Sequence, residues 1–229
     1  MSTITRFIHE SVPPLGYVRL RILRDQAAIT YSFPVAAALA LCVLLWEEAP
    51  RLRLGAWMLL VLGHAYIRYS LLRRPDDNGR VRTQAGIAVF AVAAFTSGLI
   101  WGSAPLLLIP YDPARVVEFT LYNGLTLLVI CGLASGAALA YAASLQVLFC
   151  FSVPALIPCA LYLISLGDRY NSALGGFVLL YFLFVSISAL RMNLQLQEFA
   201  RAEQERDSLL EAIERARARM HRAKHSPRP

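Results

Sequence analysis

Four side chains in this sequence stand out as able to meet a ligand within otherwise apolar segments: His64, Trp101, Glu118 and Asn123. Polar groups in such segments are costly and often functional. Counted along helices at ~1.5 Å per residue, His64, Trp101 and Asn123 reach a common depth, roughly 10–15 Å below the outer membrane surface. Glu118 would sit at the mouth of the cavity they form. Such a group could read a small apolar or amphipathic ligand, or a proton. The plainer account of His64 is a neutral ring bonded to a neighbouring helix. Arg68, near the inner end of the same segment, is expected to snorkel toward the headgroups.

Little else in the chain offers chemistry. No HExxH, GxSxG, P-loop or usable GxGxxG occurs, so no catalytic residue is assigned and no cofactor is expected. His221 and His225 are four apart in the tail, with no carboxylate or thiol set to complete a metal site, and read as solvated surface. Cys42, Cys131, Cys150 and Cys159 fall inside apolar segments without a CxxC pair and read as small packing residues. No metal is expected.

The elements that must position these side chains follow from where charge is missing. Charged residues make up 16% of the chain, against roughly a quarter in soluble domains. Charge is absent from 26–46, 83–111, 119–167 and 170–190. Apolar windows of ~20 residues match the ~30 Å hydrocarbon core, and lipid accepts them only as helices or closed barrels. The window 119–167 would reach ~70 Å as one helix and must fold back. Its turn is expected in the small-residue stretch from Gly132, Ser135, Gly136 and Ala137 to Ser144. The expected spans are 28–46, 54–72, 84–109, 116–137, 141–166 and 172–190. The fold class is therefore all-α, a polytopic membrane bundle of about six transmembrane helices.

Arginines set the orientation. Arg6, Arg19, Arg21 and Arg24 precede the first span, Arg73, Arg74, Arg80 and Arg82 fill the loop after the second, and Arg191, Arg201 and Arg206 follow the sixth. The opposite loops are poorer in arginine and carry Glu47, Glu48, Asp112 and Asp168, so both termini are expected in the cytoplasm. The net charge of +7 is then a basic fringe facing anionic lipid, and no nucleic-acid partner is expected. The first apolar run begins near residue 28 and is long enough to span, so no cleavable leader is expected.

The segment organisation is 1–27, a cytoplasmic lead-in with a short interfacial helix over 17–26; 28–190, the bundle; 191–225, a charged helix free of Gly and Pro; and 226–229, a tail. In the charged helix, Met192, Phe199, Arg206, Ile213 and Met220 repeat every seven residues, and Ala202, Leu209 and Ala216 fill the second seam position. That pattern predicts a cytoplasmic coiled coil, weakened at Gln195 and Arg206, and hence a homodimer. Within the spans, Gly98/Gly102 and Gly132/Gly136 are GxxxG pairs that permit close helix packing, here expected to be intramolecular. Pro154 and Pro158 remove backbone donors from the fifth span and are expected to make it a hinge.

The run Ser97-Gly98-Leu99-Ile100-Trp101-Gly102 with Pro110, the stretch 132–138, the element Pro154-Ala155-Leu156-Ile157-Pro158 and the turn Gly167-Asp168 together resemble a known membrane sensor region. It is the N-terminal multi-pass region of bacterial diguanylate cyclases, phosphodiesterases and sensor histidine kinases. The resemblance covers about residues 17–220 and implies a sensory transducer in the bacterial inner membrane. Its charged helix would pass a stimulus to a cytoplasmic output domain or partner. The family continues into GGDEF, EAL or kinase domains, and none of their motifs occurs here. A truncated form, an isolated sensor and a partner-dependent sensor all remain open. The alternative is a small transporter or channel with Glu118, Asn123 and His64 along its path. An inverted repeat with paired broken helices, common in transporters, is not visible.

Overall fold

The computed structural model describes residues 27–72, 82–142 and 144–225, and every regular element among them is helical. The interfacial helix expected over 17–26, most of the arginine-rich loop after residue 72 and the last four residues lie outside this description. The helices are α1 (Ala27–Leu44), α2 (Arg51–Leu72), α3 (Arg82–Gly102), α4 (Ala104–Leu107), α5 (Val116–Ala140), α6 (Leu145–Ser165) and α7 (Arg169–His225), with a 3-10 turn at Pro113–Arg115 before α5. By its contacts the chain divides into two units, Met1–Leu190 and Arg191–Pro229.

Four segments are long and apolar enough to cross a membrane: Ile87–Leu107, Pro113–Ala140, Leu145–Ser165 and the apolar part of Arg169–Ala216. Their outward faces are built of residues such as Val117, Leu128, Phe177, Leu180 and Phe184, all mainly exposed. Water would not tolerate that much contiguous apolar surface, whereas lipid solvates it. α1 contributes a shorter apolar stretch, Ser32–Leu44. α2 has membrane length but carries Arg51, Arg53, His64 and Arg68.

The joints between helices have local causes. α3 ends at Gly102 and α4 restarts at Ala104, because Pro105 has no N–H to continue the ladder. The third apolar segment is therefore broken near its end rather than continuous to residue 109. α5 is entered through Asp112, whose carboxylate accepts the Ala114 amide at 2.9 Å. The turn from α5 to α6 lies at 141–144, the far end of the small-residue stretch. Gly132 and Gly136 stay inside α5, since an isolated helical glycine costs only about 1 kcal/mol and does not by itself stop a helix. The turn from α6 to α7 needs Gly167, at φ 75°, a conformation that disfavours any side chain. Asp168 then caps α7 by accepting the amides of Tyr170 at 3.1 Å and Asn171 at 2.9 Å.

α3 and α6 make the most extensive contact of the bundle, and glycine is the reason. A Cβ at Gly98 would fall on the Phe151 carbonyl and 2.7 Å from Pro154 Cγ. One at Gly102 would fall on the Pro154 carbonyl, a group that Pro158 cannot bond within α6 for want of an N–H. The thiol of Cys159 donates to the Gly102 carbonyl at 3.0 Å across the same seam. So Gly98/Gly102 packs within the chain, as small residues do where lipid supplies no hydrophobic drive. α7 approaches α6 in the same way at Gly175, whose Cβ would lie 2.7 Å from the Ala160 carbonyl. Tyr181 of α7 reaches α5, donating to the Cys131 carbonyl and sharing a hydrogen bond with Ser135.

Candidate functional site

Gly132 and Gly136 behave differently from the other glycine pair: a Cβ added to either would meet nothing within 4 Å. With Ala140 they form an i, i+4 row on α5 that backs onto a cavity of about 490 Å³. Phe33 and Pro34 of α1, Arg68 of α2, Ser97 and Trp101 of α3, and Phe151 of α6 close the other sides. Phe33 and Leu139, both more than half exposed, also line it, so the cavity reaches the lipid-facing surface of the bundle. Its volume is within the roughly 300–1,000 Å³ of ligand pockets.

Arg68 is the charged residue of this wall. It is only 7% exposed, and its Nη2 donates to the Tyr141 hydroxyl at 2.7 Å. This corrects the expectation that Arg68 snorkels to the headgroups. The glycine row leaves room inside the bundle, and Tyr141, at the C-terminal end of α5, offers an acceptor there. Charged side chains within apolar spans commonly face the bundle interior and pair there.

A second space of about 20 Å³ adjoins the first and shares Pro34, Arg68, Ser97 and Trp101 with it. His64 lines this one, and its Nε2 is buried without a hydrogen-bond partner among the described residues. Such a space holds about one water. His64 and Arg68 are four apart on α2 and therefore share a face.

Trp101 is held by Trp57. Their rings meet edge to face at 5.2 Å and 87°, and the Trp57 indole N–H donates to the Ile100 carbonyl at 2.9 Å. Both are essentially fully buried, so the tryptophan in the cavity wall has one fixed orientation.

Of the four side chains singled out from sequence, the structure brings His64 and Trp101 together and leaves the other two elsewhere. Asn123 is fully buried, but its amide donates to the Phe119 carbonyl on its own helix at 3.0 Å, and it lines neither space. Glu118 is exposed and pairs with Arg115, which also reaches Glu48 at 3.4 Å. Tyr122 donates to the other Glu48 oxygen at 3.1 Å, so this cluster ties the turn after α1 to the start of α5. Depth counting along each helix put these residues at similar heights but said nothing of azimuth, and azimuth decides who shares a cavity.

Pro154 lies buried against Gly98 and Pro158 is exposed, and α6 runs through both without a break. Among the described residues no group of His, Cys, Asp and Glu could hold a metal ion.

Three residues of the site were not visible in sequence: Ser97, Tyr141 and Trp57. A signal for an interior partner existed, since an arginine within an apolar segment calls for one. No protein-family model, no curated protein and no solved structure matches this chain.

Proposed function

We propose that the chain is the sensory module of a bacterial inner-membrane transducer. In this reading six spans over 28–190 form a bundle whose cavity takes a small amphipathic ligand. Both termini lie in the cytoplasm, and the helix over 191–225 pairs with a second copy to pass the change to an output domain or partner. The resemblance to the sensor regions of cyclic-di-GMP enzymes and histidine kinases supports this, as does a polar-tipped cavity that opens to the lipid-facing surface of the bundle.

The observation that carries the reading is the surface of the second unit. Phe199, Leu209 and Ile213, seam positions of the heptad pattern, are 72%, 64% and 50% exposed in a single chain. Ala202, Arg206 and Ala216 are exposed as well and Met192 is half-buried, while the side chain of Met220 lies outside those described. An apolar stripe of this spacing on a charged helix is covered when a second copy pairs with it. Two arrangements of such a pair need differ by only a few kcal/mol for a weak ligand to shift the population. The transporter alternative loses support, because His64 lines only the smaller space and Glu118 and Asn123 line neither.

The test is disulfide crosslinking in native membranes. Single cysteines at Phe199, Leu209 and Ile213 should crosslink between copies, and cysteines at Arg201 and Glu205, off the seam, should not. Uniform crosslinking, no crosslinking, or labelling of these positions from outside the cell would each overturn the proposal.

A further inference from the structure

The walls of the larger cavity carry charge of one sign. Arg68 is its ionised member, and none of the lining residues among those described is acidic. Guanidinium stays protonated under all ordinary conditions. The Tyr141 hydroxyl accepts from Arg68, which leaves its own proton to donate, and it donates to no described residue. Ser97, 6% exposed, adds a second hydroxyl that is bonded to no described residue. The polar corner therefore offers a cation and O–H donors together, which is the set an anion needs.

Away from that corner the cavity is apolar, with Phe33, Leu133 and Phe151 facing the bare backbone of Gly132 and Gly136. The polar corner also has a definite height. Arg68 is four residues from the end of α2 and Tyr141 follows the last residue of α5, so both stand toward one end of the bundle. Gly136 and Gly132, five and nine residues before Tyr141 on α5, carry the cavity away from that end. A head at one end and a chain running inward is the posture of an acid dissolved in a bilayer.

We propose that this cavity binds a single-chain amphiphile with an anionic head, the head on Arg68, Tyr141 and Ser97 and the chain along Gly136 and Gly132. The inference names the ligand class for the sensory reading and rests on that reading only for what binding does downstream. Entry is lateral, past Phe33 and Leu139. Selection comes from the head, since any chain of suitable length finds the same apolar walls.

The experiment uses the full chain in phosphatidylcholine nanodiscs, with Trp46→Phe so that emission reports the Trp57–Trp101 pair. The probes are 12-bromododecanoate and 12-bromododecan-1-ol, whose terminal bromine quenches tryptophan on contact. The acid, at a pH where it is ionised, should quench saturably and bind roughly tenfold or more tightly than the alcohol, as a charge-assisted contact requires. Arg68→Gln should abolish that preference. Gly136→Leu, whose side chain enters open space, should abolish saturable quenching by both probes while leaving the helical circular dichroism intact. Equal binding of acid and alcohol, unchanged acid binding in Arg68→Gln, or quenching that never saturates would overturn the proposal. Competition by phosphatidylglycerol would assign the head to a membrane phospholipid and overturn the single-chain claim. Saturable binding in a chain whose seam cysteines fail to crosslink would sink the sensory reading and leave this one standing.

Discussion

Two glycine-to-alanine changes of identical chemistry should move stability in opposite directions. At Gly102 the new methyl would meet the Pro154 carbonyl and the Ala155 backbone, with Ala155 Cα at 3.1 Å and its oxygen at 3.2 Å. All three contacts are backbone atoms, which cannot swing aside, so the cost belongs at the upper end of overpacking, about 3 kcal/mol. Removing a helical glycine returns at most about 1 kcal/mol. The net is a loss of about 2 kcal/mol, or roughly 4–8 °C in the melting midpoint of a chain this size. At Gly136 nothing opposes the methyl, so only the propensity gain remains, up to about 1 kcal/mol and ~2–4 °C upward. The assay is thermal unfolding in a mild detergent, followed by helical circular dichroism. A Gly102→Ala variant as stable as the parent would refute the α3–α6 packing described above. A Gly136→Ala variant that falls as far as Gly102→Ala would mean that the second pair is covered after all, by a neighbour the single chain does not contain.

Tyr141→Phe removes the acceptor of a charged donor and should cost about 1.5–3 kcal/mol, read in the same melt. A change below the scatter of the measurement would place the Arg68 guanidinium elsewhere. At the start of α7, desolvation alone would push the Asp168 carboxyl up, but the hydrogen bonds from Asn171 and Tyr170 outweigh it and hold it below its ordinary value of 3.8. A depressed carboxylate stabilises above its unfolded value and loses that contribution as pH falls through the folded one. Amide exchange at Tyr170 and Asn171 should thus stay slow down to pH 3.8 and accelerate only below it. Asp168→Asn, which keeps the cap but not the charge, should remove the pH dependence, and exchange that accelerates well above pH 3.8 would refute the cap.

What the sequence made legible was set by patterns internal to one helix. Charge-free windows located the apolar helices, the length of 119–167 required it to turn back, though only the Ser144 end of the small-residue run adjoins that turn, and Gly167-Asp168 announced its own turn because a positive φ and a capping carboxylate are local needs. Gly98/Gly102 was legible as a packing motif for the same reason. What stayed hidden depended on which helix stands beside which. Gly132/Gly136 has the same spacing as Gly98/Gly102 and the opposite role, since no helix backbone comes close to it. Asn123 looked like a lining residue, yet its amide turns back on Phe119, a choice available to any helical asparagine whose neighbours are apolar. Arg68 had two outlets, headgroup or interior, and only the position of Tyr141 decides between them.

Tyr141 has one further property. Its ring hydroxyl forms part of the cavity wall, while its backbone is the hinge pin of the α5–α6 joint, receiving the Ser144 amide on its carbonyl at 2.8 Å and giving its own amide to Ala137 at 2.8 Å. Whatever tugs the phenol sideways also levers the first turn of α6, and α6 is bolted to α3 through Gly98 and Gly102. A displacement that begins at one oxygen atom is thereby passed to the most broadly joined pair of helices in the bundle.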